Sequence, residues 1–423
     1  MTEQPVKIAV LGLGYVGLPL ARLFSSVYAT IGFDLDEARV KAINSGLDIT
    51  GEVESSALLQ AIADGFICTT NMEDLRSCNT YIVAVPTPVD CNNTPDLSPL
   101  LSASRTIGEV ISRGDTVIYE STVYPGVTED ECVPVIESIS GLKLNVDFFA
   151  GYSPERINPG DREHPIESIT KVVSGSCPEA ADKVERLYNS VLKNGVCRVS
   201  SIRAAEASKI MENTQRDVNI AFMNEQAKIF NAMGIDTQEV IRAASTKWNF
   251  LRFAPGLVGG HCISVDPYYL IQKAQVYGIY PRIMSAARRL NDGMGEYVGQ
   301  QVVKLMNKKG ILIKDARILI LGFTFKENCP DIRNTKVIDI YATLREYTSG
   351  IVIHDPCADA TDAGRKYGIE ITGSLPQGQF DAIILAVAHE AYADVNIKSL
   401  RAPLSIVYDV KSFLPSEEVD GRL

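Results

Sequence analysis

Short apolar runs alternate with helical patterns along the first half of the chain. The runs predict strands at five places: Val6–Leu11, Ala29–Phe33, Tyr81–Val85, Thr116–Tyr119 and Phe148–Ala150. After the first run, apolar residues recur at helical spacing, at Leu18, Leu20, Ala21 and Phe24. Apolar strands that alternate with helices are typical of a parallel sheet covered by helices on its faces.

The same alternation returns in the second half of the chain, after a long helical pattern. That pattern runs from Ile202 to Met233 without proline or glycine. Strands are then predicted at Ala316–Gly322, Ile351–Pro356, Phe380–Val387 and Leu404–Asp409, with a helix at Lys336–Tyr347. We expect an α/β protein with domains at residues 1–200, 201–305 and 306–423.

The first predicted strand runs directly into a glycine-rich turn, Gly12-Leu13-Gly14-Tyr15-Val16-Gly17. A turn of this pattern between a strand and a helix binds a dinucleotide in Rossmann-type domains. Gly12 permits the tight turn, Gly14 lets a pyrophosphate approach the backbone, and Gly17 lets the helix pack closely on the strand. The alternative is a glycine-rich turn without a ligand. We therefore predict an N-terminal Rossmann-type domain, a long central helix and a second, Rossmann-like C-terminal domain without such a turn.

Asp34, which ends the second predicted strand, lies about twenty residues beyond the turn, the usual spacing of the acid in this motif. It would accept hydrogen bonds from the adenosine ribose and so favour NAD over its 2′-phosphorylated form. Polar residues also follow later strands, at Thr87, Thr122 and Glu155. Ligands bind at the carboxyl ends of parallel strands, so we place these three near the cofactor. Taken singly, Thr87 is equally typical of a turn or a helix cap.

A thiol, Cys262, follows two glycines in the run Gly256-Leu257-Val258-Gly259-Gly260-His261-Cys262, and a carboxylate, Asp266, comes four residues later. A thiol can hold an aldehyde as an adduct from which a hydride leaves, so this run predicts oxidation to the acid level. The alternative is a buried cysteine that packs as a small apolar residue. Lys209 and Asn213 share one face of the long helix, although an exposed helical lysine is usually only solvated.

Composition restricts the other classes of function. The chain has 423 residues, 46% hydrophobic and 22% charged, and a net charge of −11, which argues against nucleic acid as a partner. No apolar stretch is long enough to cross a bilayer, and the first residues lack a secretory pattern. Nine scattered cysteines without a Cys-x-x-Cys pair indicate reduced thiols, so we expect a cytoplasmic protein. Four isolated histidines give little support to a metal site, and we predict none.

Several of these runs together resemble the UDP-glucose/GDP-mannose dehydrogenase family over nearly the whole chain. The matching motifs are Gly12 to Pro19, Glu120-Ser121-Thr122, Ser153-Pro154-Glu155-Arg156, Gly259 to Asp266 and Phe325-Lys326-Glu327-Asn328. The resemblance implies an NAD-dependent nucleotide-sugar 6-dehydrogenase whose successive domains bind NAD, carry the dimerising helix and the catalytic cysteine, and bind the UDP-sugar. Separately, the long helix from Ile202 can bury an apolar face against a symmetric copy, so we expect a homodimer or a higher assembly, with Arg252 reaching a neighbouring copy's site.

Residue roles follow from this resemblance. Cys262 would be the nucleophile, and Lys209 and Asn213 would stabilise negative charge on the C6 oxygen. Asp266 and Thr122 would position a water, and Glu155 would assist proton transfer or thioester hydrolysis. The cofactor-binding set comprises Gly12, Gly14, Tyr15, Val16, Gly17, Asp34, Arg39, Thr87, Thr122 and Arg333. The substrate-binding set comprises Glu155, Arg156, Lys209, Asn213, Arg252, Phe253, Gly259 and Lys326. The whole segment Leu251–Pro255 would contact the nucleotide sugar, and Lys411 is a weaker candidate.

Within the family, the segments Pro154–Gly160 and Gly256–Cys262 resemble the branch that oxidises UDP-N-acetylhexosamines, with GlcNAc or GalNAc as the sugar. The UDP-glucose branch typically has Ser in place of His261 and a second Glu where this chain has Asn158-Pro159. UDP-N-acetylmannosamine and UDP-glucose remain alternative substrates. Two other functions remain possible. One is a single-step hydroxyacid dehydrogenase, and the other is a catalytically silent protein that senses NAD or a nucleotide sugar.

Overall fold

The computed structural model describes residues 5–90, 93–156 and 165–423, and the chain divides into two compact units. The first unit comprises Met1–Glu212 and Tyr268–Tyr277, and the second comprises Asn213–Pro267 and Gly278–Leu423. Each unit is built around one sheet. In the described part of the chain, none of the helices combines the length and the apolar character that crossing a bilayer requires.

The first unit contains an eight-stranded sheet. Its strands are β1 Lys7–Leu11, β2 Ala29–Phe33, β3 Ile67–Thr69, β4 Thr80–Val83, β5 Thr116–Tyr119, β6 Phe149–Tyr152, β7 Lys171–Gly175 and β8 Val196–Arg198. They lie in the order β3-β2-β1-β4-β5-β6-β7-β8, and neighbours are parallel except for β6 and β7. Strand order reverses between β1 and β4, which is where a doubly wound sheet opens a crevice for a ligand.

Helices cover both faces of this sheet. They are α1 Gly17–Ser25, α2 Glu37–Asn44, α3 Ser55–Ala63, α4 Ser98–Val110, α5 Val133–Ser140 and α6 Pro178–Asn189, with short 3-10 helices at Met72–Ser77 and Ile166–Ser168 and a π-helical turn at Thr128–Cys132. Alternate residues of β1 enter different cores: Ala9 and Leu11 pack with α4 and α5, and Ile8 and Val10 pack with α1 to α3 and α6. Two buried faces explain why β1 is continuously apolar from Ile8 to Leu11.

The second unit contains a six-stranded, fully parallel sheet. Its strands are β9 Ile318–Leu321, β10 Ile351–His354, β11 Ile371–Thr372, β12 Phe380–Leu385, β13 Arg401–Asp409 and β14 Gly421–Arg422. The order β11-β10-β9-β12-β13-β14 repeats the order of the first six strands of the other sheet. Both sheets therefore have the Rossmann strand order, and the predicted fold class is confirmed.

The remaining helices lie mainly in the second unit. The α-helices are α7 Ile202–Met233, α8 Thr237–Ala244, α9 Asp266–Val276, α10 Arg282–Asp292, α11 Met294–Lys308, α12 Val337–Arg345, α13 Ala360–Tyr367 and α14 Ile397–Leu400, and 3-10 helices occupy Ile313–Asp315, Glu390–Tyr392 and Ser416–Glu418. Helix α7 is 32 residues long and has the predicted bounds; it begins in the first unit and ends in the second.

Candidate active site

The glycine-rich turn leaves the start of α1 open. Gly12 has φ +90°, and a Cβ at Gly17 would lie 1.7 Å from the carbonyl oxygen of Gly12, so neither position accepts a side chain. Within the described residues, a Cβ at Gly14 would meet nothing within 4 Å, and the helix, which follows Tyr15 and Val16, has no side-chain cap. Backbone N–H groups at the start of a helix attract phosphate, so the turn fits a dinucleotide.

Asp34 and Arg39 brace this turn from the following strand and helix. One carboxylate oxygen of Asp34 accepts the N–H of Leu13 at 2.8 Å. Arg39 is buried and donates two hydrogen bonds to the Leu13 carbonyl, at 2.8 and 2.6 Å, and its third nitrogen pairs with Asp48 at 2.8 Å. The guanidinium thus holds the turn in shape, a role that the sequence did not indicate, whereas its predicted contact with adenosine stays a prediction.

Predicted site residues of the first unit follow the carboxyl ends of β4, β5 and β6. The Thr87 hydroxyl donates to the carbonyl of Thr122 at 2.7 Å, and the Ser121 hydroxyl donates to the carbonyl of Val85 at 2.7 Å. Glu155 is buried just after β6. These bonds tie the loop after β4 to the loop after β5, as the parallel strand order requires. The residues that continue the motif, from Ile157 to Gly160, lie outside the described part of the chain.

Arg156, predicted to bind substrate, is partly buried beside Glu155. Its guanidinium pairs with the Glu212 carboxylate and donates to the Thr170 carbonyl at 2.9 Å. Both partners belong to the first unit, and the Glu212 contact links the loop after β6 to helix α7. The observed role of Arg156 is therefore to hold this loop, and substrate contact by Arg156 stays a prediction.

A buried ion pair that the sequence did not reveal involves Glu120, the residue immediately before Ser121. The Glu120 carboxylate accepts from Lys171 at 2.5 Å and from the Tyr188 hydroxyl, and all three side chains are at most 2% exposed. Burial raises the pKa of Glu120, and the neighbouring Lys171 opposes that rise. The partners are 51 and 68 residues away in sequence, so no local pattern could have found them.

Helix α7 carries both Lys209 and Asn213, one turn apart, and both side chains are buried. Glu206, a turn before Lys209, accepts the N–H groups of Gly126 at 2.5 Å and of Thr128 at 3.0 Å. Burial raises the pKa of Glu206 to about 7, although those backbone hydrogen bonds act to lower it. Glu206 thereby fastens the lysine-bearing turn of α7 to the loop that begins at Thr122.

In the second unit, the Cys262 segment is fastened at several points. The Asn213 amide donates to the Asp266 carboxylate at 2.5 Å. Gly260 has φ +84°, its N–H donates to the carbonyl of Arg333 at 3.1 Å, and its own carbonyl accepts from the Asn334 amide at 2.9 Å. Because these bonds fix the backbone on both sides of it, the half-buried Cys262 thiol has a defined position.

The loop after β9 contacts this segment directly. A Cβ at Gly259 would lie 2.8 Å from the Asn334 carbonyl oxygen and 2.9 Å from Phe325 Cβ, so only glycine fits there. Arg333 is half-buried, and its guanidinium binds the carboxylate of Asp331, with hydrogen bonds of 2.5 to 3.0 Å. Cys262, Asp266, Asn213, Gly259 and Arg333 are thus joined within the second unit.

A small cavity marks the point where strand order reverses in the second sheet, between β9 and β12. Its volume is about 20 Å³. It is lined by residues of the loops after β9, β12 and β13 together with part of the cysteine segment: Leu257, Gly259, Thr324, Phe325, Glu327, Thr335, Lys336, Val337, Ala386, Val387 and Lys411. Lys326 lies half-buried beside this lining. A ligand of this domain is expected at such a reversal.

Asp355, just beyond β10, anchors the loop that carries Lys326. Its carboxylate accepts the N–H groups of Phe323 at 2.6 Å and Thr324 at 2.9 Å, and His389 Nε2 lies 3.1 Å away. Burial acts to raise the pKa of Asp355, but the His389 and backbone bonds hold it below its usual range. With Cys357, these two residues place ligand atoms within 4.8 Å of one another. The carboxylate already holds backbone N–H groups, so we assign this cluster a structural role.

Family profiles match the chain in three successive parts. The UDP-glucose/GDP-mannose dehydrogenase family's NAD binding domain matches residues 6–192, its central domain matches 203–293, and its UDP binding domain matches 319–416. Fold, site and profiles together define an NAD-dependent oxidoreductase of the nucleotide-sugar dehydrogenase class. The chain belongs to the UDP-glucose/GDP-mannose dehydrogenase family.

Individual relatives are similar over the full length. The chain is 54% identical to a UDP-N-acetyl-D-glucosamine 6-dehydrogenase of Pseudomonas aeruginosa, covering 99% of this chain and 100% of that protein. It is 50% identical to Protein CapL of Staphylococcus aureus, covering 98% and 97%. A solved structure of UDP-D-ManNAc dehydrogenase from Pyrococcus horikoshii superposes with a TM-score of 0.90 at 32% identity, covering 99% and 98%.

Proposed function

We propose that this protein oxidises the C6 hydroxyl of UDP-N-acetyl-D-glucosamine to the carboxylate, using two molecules of NAD⁺. The observation that carries this proposal is the Cys262 segment, whose backbone is fixed by Arg333, Asn334 and the Asn213–Asp266 bond. The choice of sugar rests on the 54% identical relative of that name. UDP-N-acetyl-D-galactosamine, the C4 epimer, is the nearest competitor.

The first oxidation converts the alcohol to an aldehyde. NAD⁺, held by the turn Gly12–Gly17, would accept the hydride from C6, and the hydroxyl proton would pass to a water positioned by Asp266 and Thr122. In this proposal, Lys209 and Asn213 stabilise the negative charge that develops on the C6 oxygen, and a well-placed donor contributes about 10²- to 10³-fold in rate. The carboxylate of Asp266 binds the Asn213 amide, which fixes the direction of the amide's donor group.

The second oxidation proceeds on the cysteine. The Cys262 sulfur adds to the aldehyde carbon to form a thiohemiacetal, which loses a second hydride to NAD⁺ and a proton to become a thioester. Water, assisted by Glu155, then cleaves the thioester and releases the acid and the thiol. The covalent adduct is needed because an aldehyde gives up a hydride readily only from a tetrahedral form. The aldehyde therefore stays on the enzyme between the two steps.

The cofactor is assigned to the turn Gly12–Gly17, with Asp34 at the adenosine ribose and Thr87, Thr122, Arg39 and Arg333 as further contacts. NAD⁺ supplies the hydride acceptor. We expect the unmodified protein to prefer NAD⁺ strongly over NADP⁺, because the Asp34 carboxylate repels a 2′-phosphate.

The Asp34 variant tests this assignment. Since Asp34 also holds the Leu13 N–H, Asp34→Asn is the better variant: its side-chain oxygen still accepts that bond while the charge is lost. The kcat/KM ratio of NAD⁺ to NADP⁺ should fall by roughly tenfold or more, the effect of about 1.4 kcal/mol. An unchanged ratio would remove Asp34 from the cofactor site.

The substrate is assigned to the reversal point of the second sheet. Lys326 and Lys411 supply positive charge for the diphosphate of the UDP group, and Arg252, Phe253 and Gly259 contact the nucleotide sugar. The cavity lined by Thr324, Phe325 and Val387 lies where a ligand is expected in this strand order. Glu155, Arg156, Lys209 and Asn213 complete the sugar site in this proposal.

A panel of nucleotide sugars tests the proposed substrate. We expect NADH formation with UDP-N-acetylglucosamine to exceed that with the galacto and manno epimers and with UDP-glucose, measured as kcat/KM at 340 nm. A preference for UDP-glucose or UDP-N-acetylmannosamine would contradict the proposed sugar. Binding of these compounds without NADH formation would instead support the alternative of a catalytically silent protein that senses nucleotide sugars.

The oligomeric state is proposed from apolar side chains exposed in the second unit. Trp248 is 92% exposed, and Phe222, Ile229 and Met233 on α7 are 45 to 64% exposed, with spacings of seven and four residues that place them along one side. We propose that this surface packs against a second copy and that Arg252 reaches the neighbouring site. Light scattering should give at least twice the 46.1 kDa chain mass, and Trp248→Glu should lower it. A monomer at working concentration would contradict this proposal.

Two broader assignments complete the proposal. We place the protein in the cytoplasm, where its nine cysteines would stay reduced, and in the synthesis of a surface polysaccharide, as its similarity to Protein CapL suggests. We also keep the division into an NAD-binding domain at 1–200, a central region at 201–305 and a UDP-sugar-binding domain at 306–423.

A further inference from the structure

A chain of buried side chains connects helix α10 to Gly256, at the start of the cysteine segment Gly256–Asp266, entirely within the second unit. Asn224 of α7 forms two hydrogen bonds with the backbone of Gly256. Its side-chain oxygen accepts the Gly256 N–H at 2.8 Å, and its side-chain nitrogen donates to the Gly256 carbonyl at 3.0 Å. Asn224 is 0% exposed, so both bonds are shielded from water. Gly256 lies six residues before Cys262 and directly after Pro255 of the predicted substrate segment.

The orientation of the Asn224 amide is dictated by an ion pair farther away. The Asn224 nitrogen also donates to the Asn291 side-chain oxygen at 2.8 Å, and the Asn291 nitrogen donates to the Asp217 carboxylate at 2.7 Å. An ionised carboxylate only accepts hydrogen bonds, so Asn291 must turn its nitrogen toward Asp217 and its oxygen toward Asn224. Asn224 must then present its own oxygen to the Gly256 N–H.

The Asp217 carboxylate is itself held in place. Arg288 donates to it at 2.5 Å and to Asp292 at 2.6 Å, and the Arg288 side chain is 1% exposed. Burial raises the pKa of Asp217, and Arg288 opposes that rise, so the ion pair favours the charged, acceptor-only form. The described residues thus form one path from Arg288 through Asp217, Asn291 and Asn224 to Gly256.

We propose that Asn224, oriented by Asn291 and the Asp217–Arg288 pair, is a positioning residue for the Cys262 thiol. Helix α7 then fastens the cysteine segment at both ends, through Asn224 at Gly256 and through Asn213 at Asp266, eleven residues apart on the same helix. A displacement of about 1 Å at a reacting atom can cost on the order of 10²-fold in rate. This inference rests on the proposed function, since it takes Cys262 as the nucleophile.

The test compares two asparagines of the same helix. Asn224→Ala removes both hydrogen bonds to Gly256. Asn231→Ala, two turns later on α7, instead removes hydrogen bonds to the Tyr297 hydroxyl and the Arg422 carbonyl, which lie outside the cysteine segment. We expect Asn224→Ala to lower kcat by roughly 10- to 100-fold with little change in the KM for NAD⁺, and Asn231→Ala to stay within about twofold. Iodoacetamide should also modify Cys262 severalfold faster in Asn224→Ala, measured by mass spectrometry without substrate.

A second variant separates positioning from loss of folding. Asn291 contacts neither end of the cysteine segment, but its replacement by alanine removes the bond that orients the Asn224 amide. Asn291→Ala should therefore lower kcat and speed Cys262 modification, as Asn224→Ala does, but to a smaller extent. If Asn224→Ala and Asn291→Ala match Asn231→Ala in kcat and in the modification rate at equal thermal stability, the positioning role is wrong. The modification rate does not depend on turnover, so a failure of the proposed chemistry would show separately, as full activity in Cys262→Ala.

Discussion

Replacing Cys262 by alanine should abolish conversion of the C6 aldehyde to the acid. In the proposed mechanism, this thiol makes the tetrahedral adduct from which the second hydride leaves, and loss of a catalytic nucleophile typically costs on the order of 10⁴-fold or more. The first oxidation uses other groups and should persist weakly, so aldehyde should appear in place of acid. Supplying the aldehyde directly and following NADH at 340 nm measures the second step alone.

Cys197 provides the matched control for this experiment. It is an exposed free thiol on β8 in the first unit, so Cys197→Ala removes a cysteine without touching the Cys262 segment. Its rates of aldehyde oxidation should equal those of the unmodified protein. Near-normal acid formation by Cys262→Ala would show that the covalent route is wrong for this protein.

Losing Lys209 should depress both oxidations, unlike the loss of Cys262. Both steps pass through negative charge on the same C6 oxygen, and a positioned stabilising group is worth about 10²- to 10⁴-fold in rate. Lys209→Met keeps the length and apolar character of the buried side chain while removing its charge, so it disturbs the packing of α7 little. We expect comparable losses whether the alcohol or the aldehyde is supplied.

Lys228 on the same helix is the control for Lys209. Its ammonium lies 5.0 Å from the centre of the Tyr297 ring in the second unit, and we expect Lys228→Met to leave both rates within about twofold. If Lys209→Met slows only the aldehyde step, or neither step, Lys209 does not stabilise the C6 oxygen.

The sequence predicted the central strands and the long helix well but missed elements that depend on distant partners. The patterns predicted β2, β5 and α7 with their observed bounds, because each shows continuous apolar or helical spacing. The short strands β3, β8, β11 and β14 have only two or three residues, too few to show a period. Strand β7 begins with Lys171, a charge that is buried because Glu120, 51 residues earlier, pairs with it.

In the candidate site, too, the sequence predicted features that depend on neighbouring residues and missed contacts between residues far apart in the chain. Spacing identified the Gly12–Gly17 turn, and the structure shows a steric need for glycine at Gly12 and at Gly17. It could not show that Arg39 braces that turn through the Leu13 carbonyl, or that Asn224 holds Gly256, 32 residues later. Those contacts arise only when helices and loops pack, so no period or motif reveals them.

The number of NADH molecules formed per sugar tests the central claim most directly. With limiting UDP-N-acetylglucosamine and excess NAD⁺, the account predicts two NADH for each sugar consumed, with the uronic acid as product and little free aldehyde. This ratio follows from the Cys262 adduct, which keeps the aldehyde bound until the second hydride has left. One NADH for each sugar, with free aldehyde accumulating, would contradict the account.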